Sequence, residues 1–207
     1  MRRRDVLALL PVALTACGLS ERPYAERRAW PLLVPRPTVL PPAAGGGVLL
    51  LRSIAAAPGL ELRGLQSLRP DGSIQTEFYE EWAVPPAEGV EQALRQWLAD
   101  CGLFAAVVAP GSRMPADIVL EGQLTALWSI PAEHRAHAAL AFTVLDQRGG
   151  ASSLRLQQTV AADAPLTVLG APAAAHAMGV ALATVFARVE VLLRSCCSVR
   201  PAGSAGL

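Results

Sequence analysis

Apolar positions along the chain change period several times, and each change predicts an element. Val48-Leu49-Leu50-Leu51 is a short continuous apolar run closed near Pro58-Gly59, the pattern of a buried strand. From Leu62 to Arg69 the chain alternates, with Leu62, Gly64, Gln66 and Leu68 opposing Arg63, Leu65, Ser67 and Arg69. Pro70-Asp71-Gly72-Ser73 supplies turn chemistry, and Ile74 to Trp82 returns as a second strand, so the pair predicts a β-hairpin. At Pro85-Pro86 the period becomes helical. Pro86 suits a first turn, where its missing N–H costs nothing, and Glu88 and Glu91 suit the positive end of the helix dipole. Val90, Leu94, Trp97, Leu98 and Cys101 then form one apolar stripe, and Gly102 is a natural stop.

Phe104 to Ala109 reads as a strand closed by Pro110-Gly111. Asp117 to Ile130 and His134 to Gln147 read as two long strands around Pro131. Gly149-Gly150 turns the chain and Leu154 to Ala161 alternates again, which makes an antiparallel meander. The last element, Pro172 to about Arg194, is a helix with Met178, Leu182, Val185, Phe186, Val189 and Leu193 on one face. Ala181, Val180, Ala187 and Val191 make its other faces apolar too, which predicts burial on all sides. A membrane span is the rival reading, but the apolar run before Arg188 falls short of the roughly 20 residues a span requires. Residues 48–195 thus predict one α/β (α+β) domain: a mixed, largely antiparallel sheet with two helices packed on it. Residues 196–207 read as a disordered tail.

The region before residue 48 differs in kind. Arg2, Arg3 and Arg4 precede an apolar stretch from Val6 to Ala16 that has no polar face over Val6 to Leu14 and ends in the small residues Thr15 and Ala16, which is the build of a secretory signal over residues 1–16. Arg3-Arg4-Asp5-Val6-Leu7 also looks like a twin-arginine signal; a plain Sec signal explains three arginines equally well. From Gly18 to Gly47 the chain holds six prolines and three consecutive glycines, so residues 17–47 read as an extended linker in which Trp30-Pro31-Leu32 packs locally at most.

Composition narrows the function classes. Over half the residues are apolar and the net charge is near zero, so a sizeable core is expected and a nucleic-acid partner, which wants a basic stripe, is not. All 18 basic residues are arginine, a mark of GC-rich coding rather than of function. The chain offers no Ser-His-Asp order and no glycine-rich phosphate loop, so no catalytic residue and no cofactor site is assigned. His134 and His137 stand three apart, which on a strand places them on opposite faces, so no metal site is assigned either. Cys196-Cys197 lacks a C-x-x-C spacing, and one disulfide plus one free thiol, or buried cysteines, is the plainer reading in an oxidising compartment. Cys101 ends the first helix and Cys196 the second. Two helices on one face of a sheet could bring these ends together, so Cys101 with Cys196 or Cys197 is the candidate bridge. Phe78, Tyr79 and Trp82 cluster before Pro85-Pro86, and adjacent strand residues cannot both point inward, so part of this cluster is a candidate interface.

Two resemblances sharpen the picture. Leu14-Thr15-Ala16-Cys17 resembles the bacterial lipobox, in which the cysteine thiol receives a diacylglyceryl group and becomes residue one of the mature chain. On that resemblance Cys17 is the lipidation site and the anchor. Gly18 follows it in place of the aspartate that tends to hold enteric lipoproteins at the inner membrane, which implies the periplasmic face of the outer membrane of a Gram-negative bacterium. The stretch from Phe78-Tyr79 through Trp82, Pro85-Pro86 and a helix to Gly102-Leu103-Phe104 resembles the ABC-type transport auxiliary lipoproteins, the PqiC-like group. Ala116-Asp117-Ile118-Val119-Leu120-Glu121-Gly122 resembles that family's "ADYVLEG" strand. The chain departs from the family in one respect: members usually carry a Tyr-rich, strand-like stretch soon after the lipid cysteine, where this chain has Tyr24 and then Trp30-Pro31-Leu32. The resemblance implies a non-enzymatic adaptor that works with an MCE-domain protein and ABC transporter subunits in lipid movement between membranes; separately, the helix from Pro172 to Arg194 carries more apolar surface than one face of a single sheet can cover, which predicts a homo-oligomer. An outer-membrane assembly lipoprotein or a soluble-ligand-binding lipoprotein is the alternative.

Overall fold

The segment that reads as a linker turns out to be built into the domain. A computed structural model describes residues 26–197; the signal segment, Cys17 and the tail from residue 198 lie outside the described residues. In chain order the elements are β1 (Arg28–Trp30), β2 (Val48–Ala56), β3 (Gly64–Leu68), β4 (Ile74–Trp82), α1 (Pro86–Ala99), β5 (Ala106–Val108), β6 (Ile118–Ile130), a 3-10 turn (Pro131–Glu133), β7 (Arg135–Asp146), β8 (Ser153–Pro165) and α2 (Ala171–Cys197).

The long strand β6 is the axis of one eight-stranded sheet. On one edge it pairs with β7 antiparallel along its length, and β7 pairs with β8 antiparallel in turn. On its other edge β6 pairs first with β2, parallel, and near its end with β3 through Ser67 and Ser129. Beyond these lie β5, parallel to β2, and β4, antiparallel to β3, with β1 parallel to β4 at the rim. The expected mixed α+β fold with two helices and one domain is what the chain forms. The pairings β6–β7, β7–β8 and β3–β4 are antiparallel, while β2 runs parallel to β5 and β6, β3 to β6, and β1 to β4.

Alternation explains which face is covered. Leu120, Leu124, Leu140 and Val144 point to the helices together with Leu49 and Leu51, and none is exposed. Leu94 and Leu98 of α1 and Met178, Leu182, Val185 and Phe186 of α2 meet them in one core. Trp97 and Phe186 join the two helices edge to face, with ring centres 5.8 Å apart. Helix α2 is long and apolar enough to cross a membrane by length and composition, yet half of its most apolar window is buried against the domain. It is a core helix, though not buried on all sides as its sequence predicts: Val191 stays 66% exposed.

Residues 28–47 cross the helices as a strap. Trp30 accepts a hydrogen bond at its carbonyl from Ala83 N–H (2.7 Å), Leu40 N–H donates to Asp100 (2.9 Å), and Ala43 N–H donates to Phe104 (3.0 Å). Leu32 and Val34 pack on the core between these points. Glycines make the close approach possible. A Cβ at Gly179 in α2 would stand 2.3 Å from the Leu33 carbonyl oxygen, and one at Gly89 in α1 would press on Leu32. Arg36 latches the strap. Its guanidinium donates to Glu190 Oε2 at 2.7 Å and to the Thr38 carbonyl at 2.7 Å, and stacks 4.7 Å from the Trp97 ring centre. Trp97 Nε1–H donates to the same carboxylate oxygen at 3.0 Å. Burial alone would raise the Glu190 carboxyl, but the bonds from Arg36 and Trp97 and the charge of Arg36 hold it below its ordinary value of 4.5.

Candidate docking surface

The β3–β4 ladder contains the feature that shapes this surface. Gly64 pairs with Glu81 and Gln66 with Thr76, so residues 77–80 stand opposite Leu65 alone. The surplus residues form an arch, a special bulge of four residues against one. Gly64 permits the arch, because a Cβ there would meet the Glu77 carbonyl oxygen at 2.3 Å.

The arch changes where the aromatic cluster points. In a regular strand Phe78 and Trp82 would share a face and Tyr79 would take the other. Here Phe78 and Tyr79 are both turned outward, 63% and 46% exposed, and stack edge to face with ring centres 5.0 Å apart. Trp82 lies beyond the bulge and is only 2% exposed, so the expectation that it belongs to the interface is corrected: it fills the core. Its backbone is clamped, with Trp82 N–H donating to Arg63 O (2.7 Å) and Arg63 Nε–H donating to Trp82 O (2.9 Å).

Strand β1 delivers charge to the arch. Arg28 pairs in register with Glu80, and Arg27 places its guanidinium 4.5 Å from the Phe78 ring centre, a cation–π contact. Glu80 accepts from Trp30 Nε1–H at 2.7 Å and forms an ion pair with Arg28 at 3.7 Å. Beside the arch lies an open cleft of about 340 Å³, lined by Gln66, Glu77, Glu80, Ser129, Leu169 and Ala174 among others. Its polar groups already have partners: Gln66 Nε2–H donates to Gly59 O at 2.6 Å, Ser129 Oγ–H donates to Gln66 O at 3.4 Å, and Glu77 accepts from Gln75 at 2.8 Å. Leu169, which lines this cleft, and Val168 beside it are exposed on the loop from β8 to α2.

A second surface runs between the β8 edge and α2. It is a groove of about 520 Å³ with Val160, Ala161, Ala187, Val191 and Leu192 on its walls. Arg188 crosses it and donates to the Ala161 carbonyl. Strand β8 pairs only with β7, so its other edge is unpaired among the described residues.

The remaining candidates are held in structural roles. The Cys101 thiol is free and fully buried beneath the strap, and burial pushes it above its ordinary value. The anticipated bridge from Cys101 to Cys196 is therefore not formed: Cys101 points into the core, while Cys196 sits half-buried on the last turn of α2, 3.7 Å from the Leu193 carbonyl. His134 takes a left-handed backbone conformation (φ 50°) as it closes the 3-10 turn. His137 lies 2.6 Å from Asp163 on the face away from the helices. Burial opposes the charged form of Asp163, yet the bonds from His137 and Arg135 hold its carboxyl below its ordinary value. Among the described residues no group of three His, Cys, Asp or Glu side chains could hold a metal ion. Sequence reasoning missed Arg27, Arg36, Val168 and Leu169. None of the four had a local signal; the strap that carries Arg36 had one, since Gly179 in mid-helix marks a close backbone approach, made here by Leu33.

A family model described as the ABC-type transport auxiliary lipoprotein component matches residues 31–190. The match begins within the strap and ends on Glu190, so it includes both partners of the Arg36–Glu190 latch. Among solved structures, protein XCC0632 from Xanthomonas campestris, of family DUF330, is 21% identical. The match covers 83% of this chain and 94% of that one, with a TM-score of 0.63. An uncharacterized protein shares 13% identity over 81% of this chain and 99% of that one, with a TM-score of 0.65. The hypothetical protein CT253 from Chlamydia trachomatis shares 10% over 74% and 99%, with a TM-score of 0.56. At these identities the likeness is one of fold. No curated protein matches the chain significantly.

Proposed function

Because this chain belongs to the family of ABC-type transport auxiliary lipoprotein components, we propose that it is the outer-membrane-anchored adaptor of an MCE-type ABC transport system. In this role it docks the MCE-domain protein at the periplasmic face of the outer membrane and serves lipid movement between the membranes. It does no bond-making chemistry. The observation that carries the reading is the family match over most of the strap-and-sheet domain, from residue 31 to residue 190. The lipobox-like Leu14-Thr15-Ala16-Cys17 supports it, since a membrane-held auxiliary needs an anchor and Cys17 provides the nucleophilic sulfur. The domain supports it as well. Its open cleft has polar groups that are bonded internally, and the exposed features are an aromatic arch, an apolar groove and an unpaired edge strand.

We assign the β8 edge and its groove to a second copy of this chain. Thirteen residues of unpaired edge, with charge only at Arg155 and Asp163, are a template for strand pairing, and the apolar groove runs alongside. The test is to search the gene's neighbourhood for an MCE-domain protein, a permease and an ATPase, and to co-express this chain with them and purify through a tag on the permease. Stoichiometric recovery of this chain supports the adaptor role. Failure to recover it, or a gene neighbourhood without an MCE protein, overturns it.

A further inference from the structure

We propose that the Phe78–Tyr79 arch rests on the bilayer surface that holds the lipid anchor, and fixes how the domain stands on the membrane. The inference rests on the reading of Cys17 as the anchor. Three observations carry it.

The first is tether length. A free linker over residues 17–47 would reach about 100 Å at roughly 3.4 Å per residue, and the domain could then tumble at any height above the membrane. The strap removes most of that reach. From Arg28 onward the chain is paired, packed and latched, so about ten residues remain between Cys17 and the domain, and they span at most about 40 Å.

The second is where the tether enters. Arg28 is in register with Glu80, and Arg27 lies over the Phe78 ring. The anchor segment therefore leaves the domain against the arch. Leu154, at the start of β8, is at the opposite end of the sheet. It pairs with Leu145 near where β6 begins, while β3 reaches β6 only at Ser129, near where β6 ends.

The third is chemistry. Phe78 and Tyr79 project from a bulge and leave their rings outside the core. An aromatic pair with one phenolic hydroxyl suits the boundary between headgroups and acyl chains, where one end of a ring is apolar and the other wet. Arg27 and Arg28 flank it, so cations lie beside the arch where anionic headgroups would meet it. The nearby carboxylates are Glu26, Glu77, Glu80 and Glu81. Glu80 is bonded by Trp30 and Arg28, Glu81 pairs with Arg63 at 3.2 Å, and Glu77 accepts from Gln75. Leu169 lines the cleft beside the arch and is itself exposed, as is its chain neighbour Val168. Acyl chains already provide the affinity, so the arch contributes orientation.

The test uses the full lipidated chain in vesicles of phosphatidylethanolamine and phosphatidylglycerol, with Cys196 and Cys197 replaced by serine. One environment-sensitive fluorophore is attached through Tyr79→Cys or, as the control, Leu154→Cys. A fraction of the lipid carries a quencher near the headgroup. The expected result is several-fold stronger quenching and a blue-shifted emission at position 79, with the label at 154 unaffected. Equal, weak quenching at both positions in protein that still floats with the vesicles overturns the inference and leaves the anchor reading intact. Protein that fails to float overturns the anchor reading and the inference with it. A label at 79 shielded only when a partner protein is added would make the arch a protein-docking surface and overturn the proposal.

Discussion

Replacing Gly179 with alanine should destabilise this protein, against the usual sign for such a change. In an exposed helix interior, Gly→Ala gains about 1 kcal/mol from propensity. Gly179 sits in the middle of α2, and a Cβ there would stand 2.3 Å from the Leu33 carbonyl oxygen. A carbon–oxygen contact needs about 3.3 Å, so the strap has to lift by about 1 Å. It has little slack. The Trp30 carbonyl is held by Ala83 on one side and Arg36 by Glu190 on the other, only six residues further along. Overpacking of this kind costs about 1–3 kcal/mol. After the propensity gain the net loss is about 1 kcal/mol, rising toward 2 if Leu32 and Val34 leave the core. Urea unfolding of Gly179→Ala, Arg36→Ala and the double variant measures this directly. The single change should lower the midpoint and speed chymotryptic cleavage of the strap after Leu33. With the latch already removed by Arg36→Ala, Gly179→Ala should cost much less or become stabilising, a coupling that the double-mutant cycle isolates. A Gly179→Ala protein with a raised midpoint and an unchanged cleavage rate would refute the strap as a tight structural element.

The same geometry sets three further expectations. Trp82→Ala should cost about 3–5 kcal/mol in chemical unfolding, whereas Tyr79→Ala should stay within about 0.5 kcal/mol; similar losses for both would refute the inward and outward assignments made by the arch. Glu190→Gln leaves the Arg36 guanidinium without its ion-pair partner, which should cost about 3 kcal/mol at neutral pH. Because the folded carboxyl lies below its ordinary 4.5, the stabilisation from Glu190 is complete above that value and lost as pH falls through the folded value, so wild type and Glu190→Gln should converge in acid. With Cys196 and Cys197 changed to serine, Cys101 should react with a thiol reagent only after unfolding; rapid reaction in the native state would contradict its burial.

Legibility in the sequence followed the range of the interactions. The hairpin turn was readable because Asp71 bonds its own neighbour: its carboxylate accepts from the Ser73 N–H at 2.9 Å. Helix α1 was readable for the same local reason, with Pro86 in its first turn and a single apolar stripe. The meander of β6, β7 and β8 showed as alternation because one face of each strand is buried. The arch was illegible because a bulge keeps the strand-like composition of Ile74 to Trp82 while breaking the period of two. Alternation then assigned Phe78 to the face of Trp82, and only the Gly64 partner strand records that the ladder skips.

The strap failed for a deeper reason. Its prolines and glycines carry the local statistics of a linker, and what orders it lies far away in the chain: Glu190 stands 154 positions from Arg36, and Gly179 is separated from Leu33 by nearly the whole domain. A proline-rich segment has little conformational entropy to lose, so a few distant contacts suffice to dock it. The composition that looks like a spacer is therefore also the composition best suited to lie in a groove across two helices. The consequence for function is mechanical. A chain read as a long tether becomes a short one, and the surface beside its exit is drawn to the membrane that the anchor occupies.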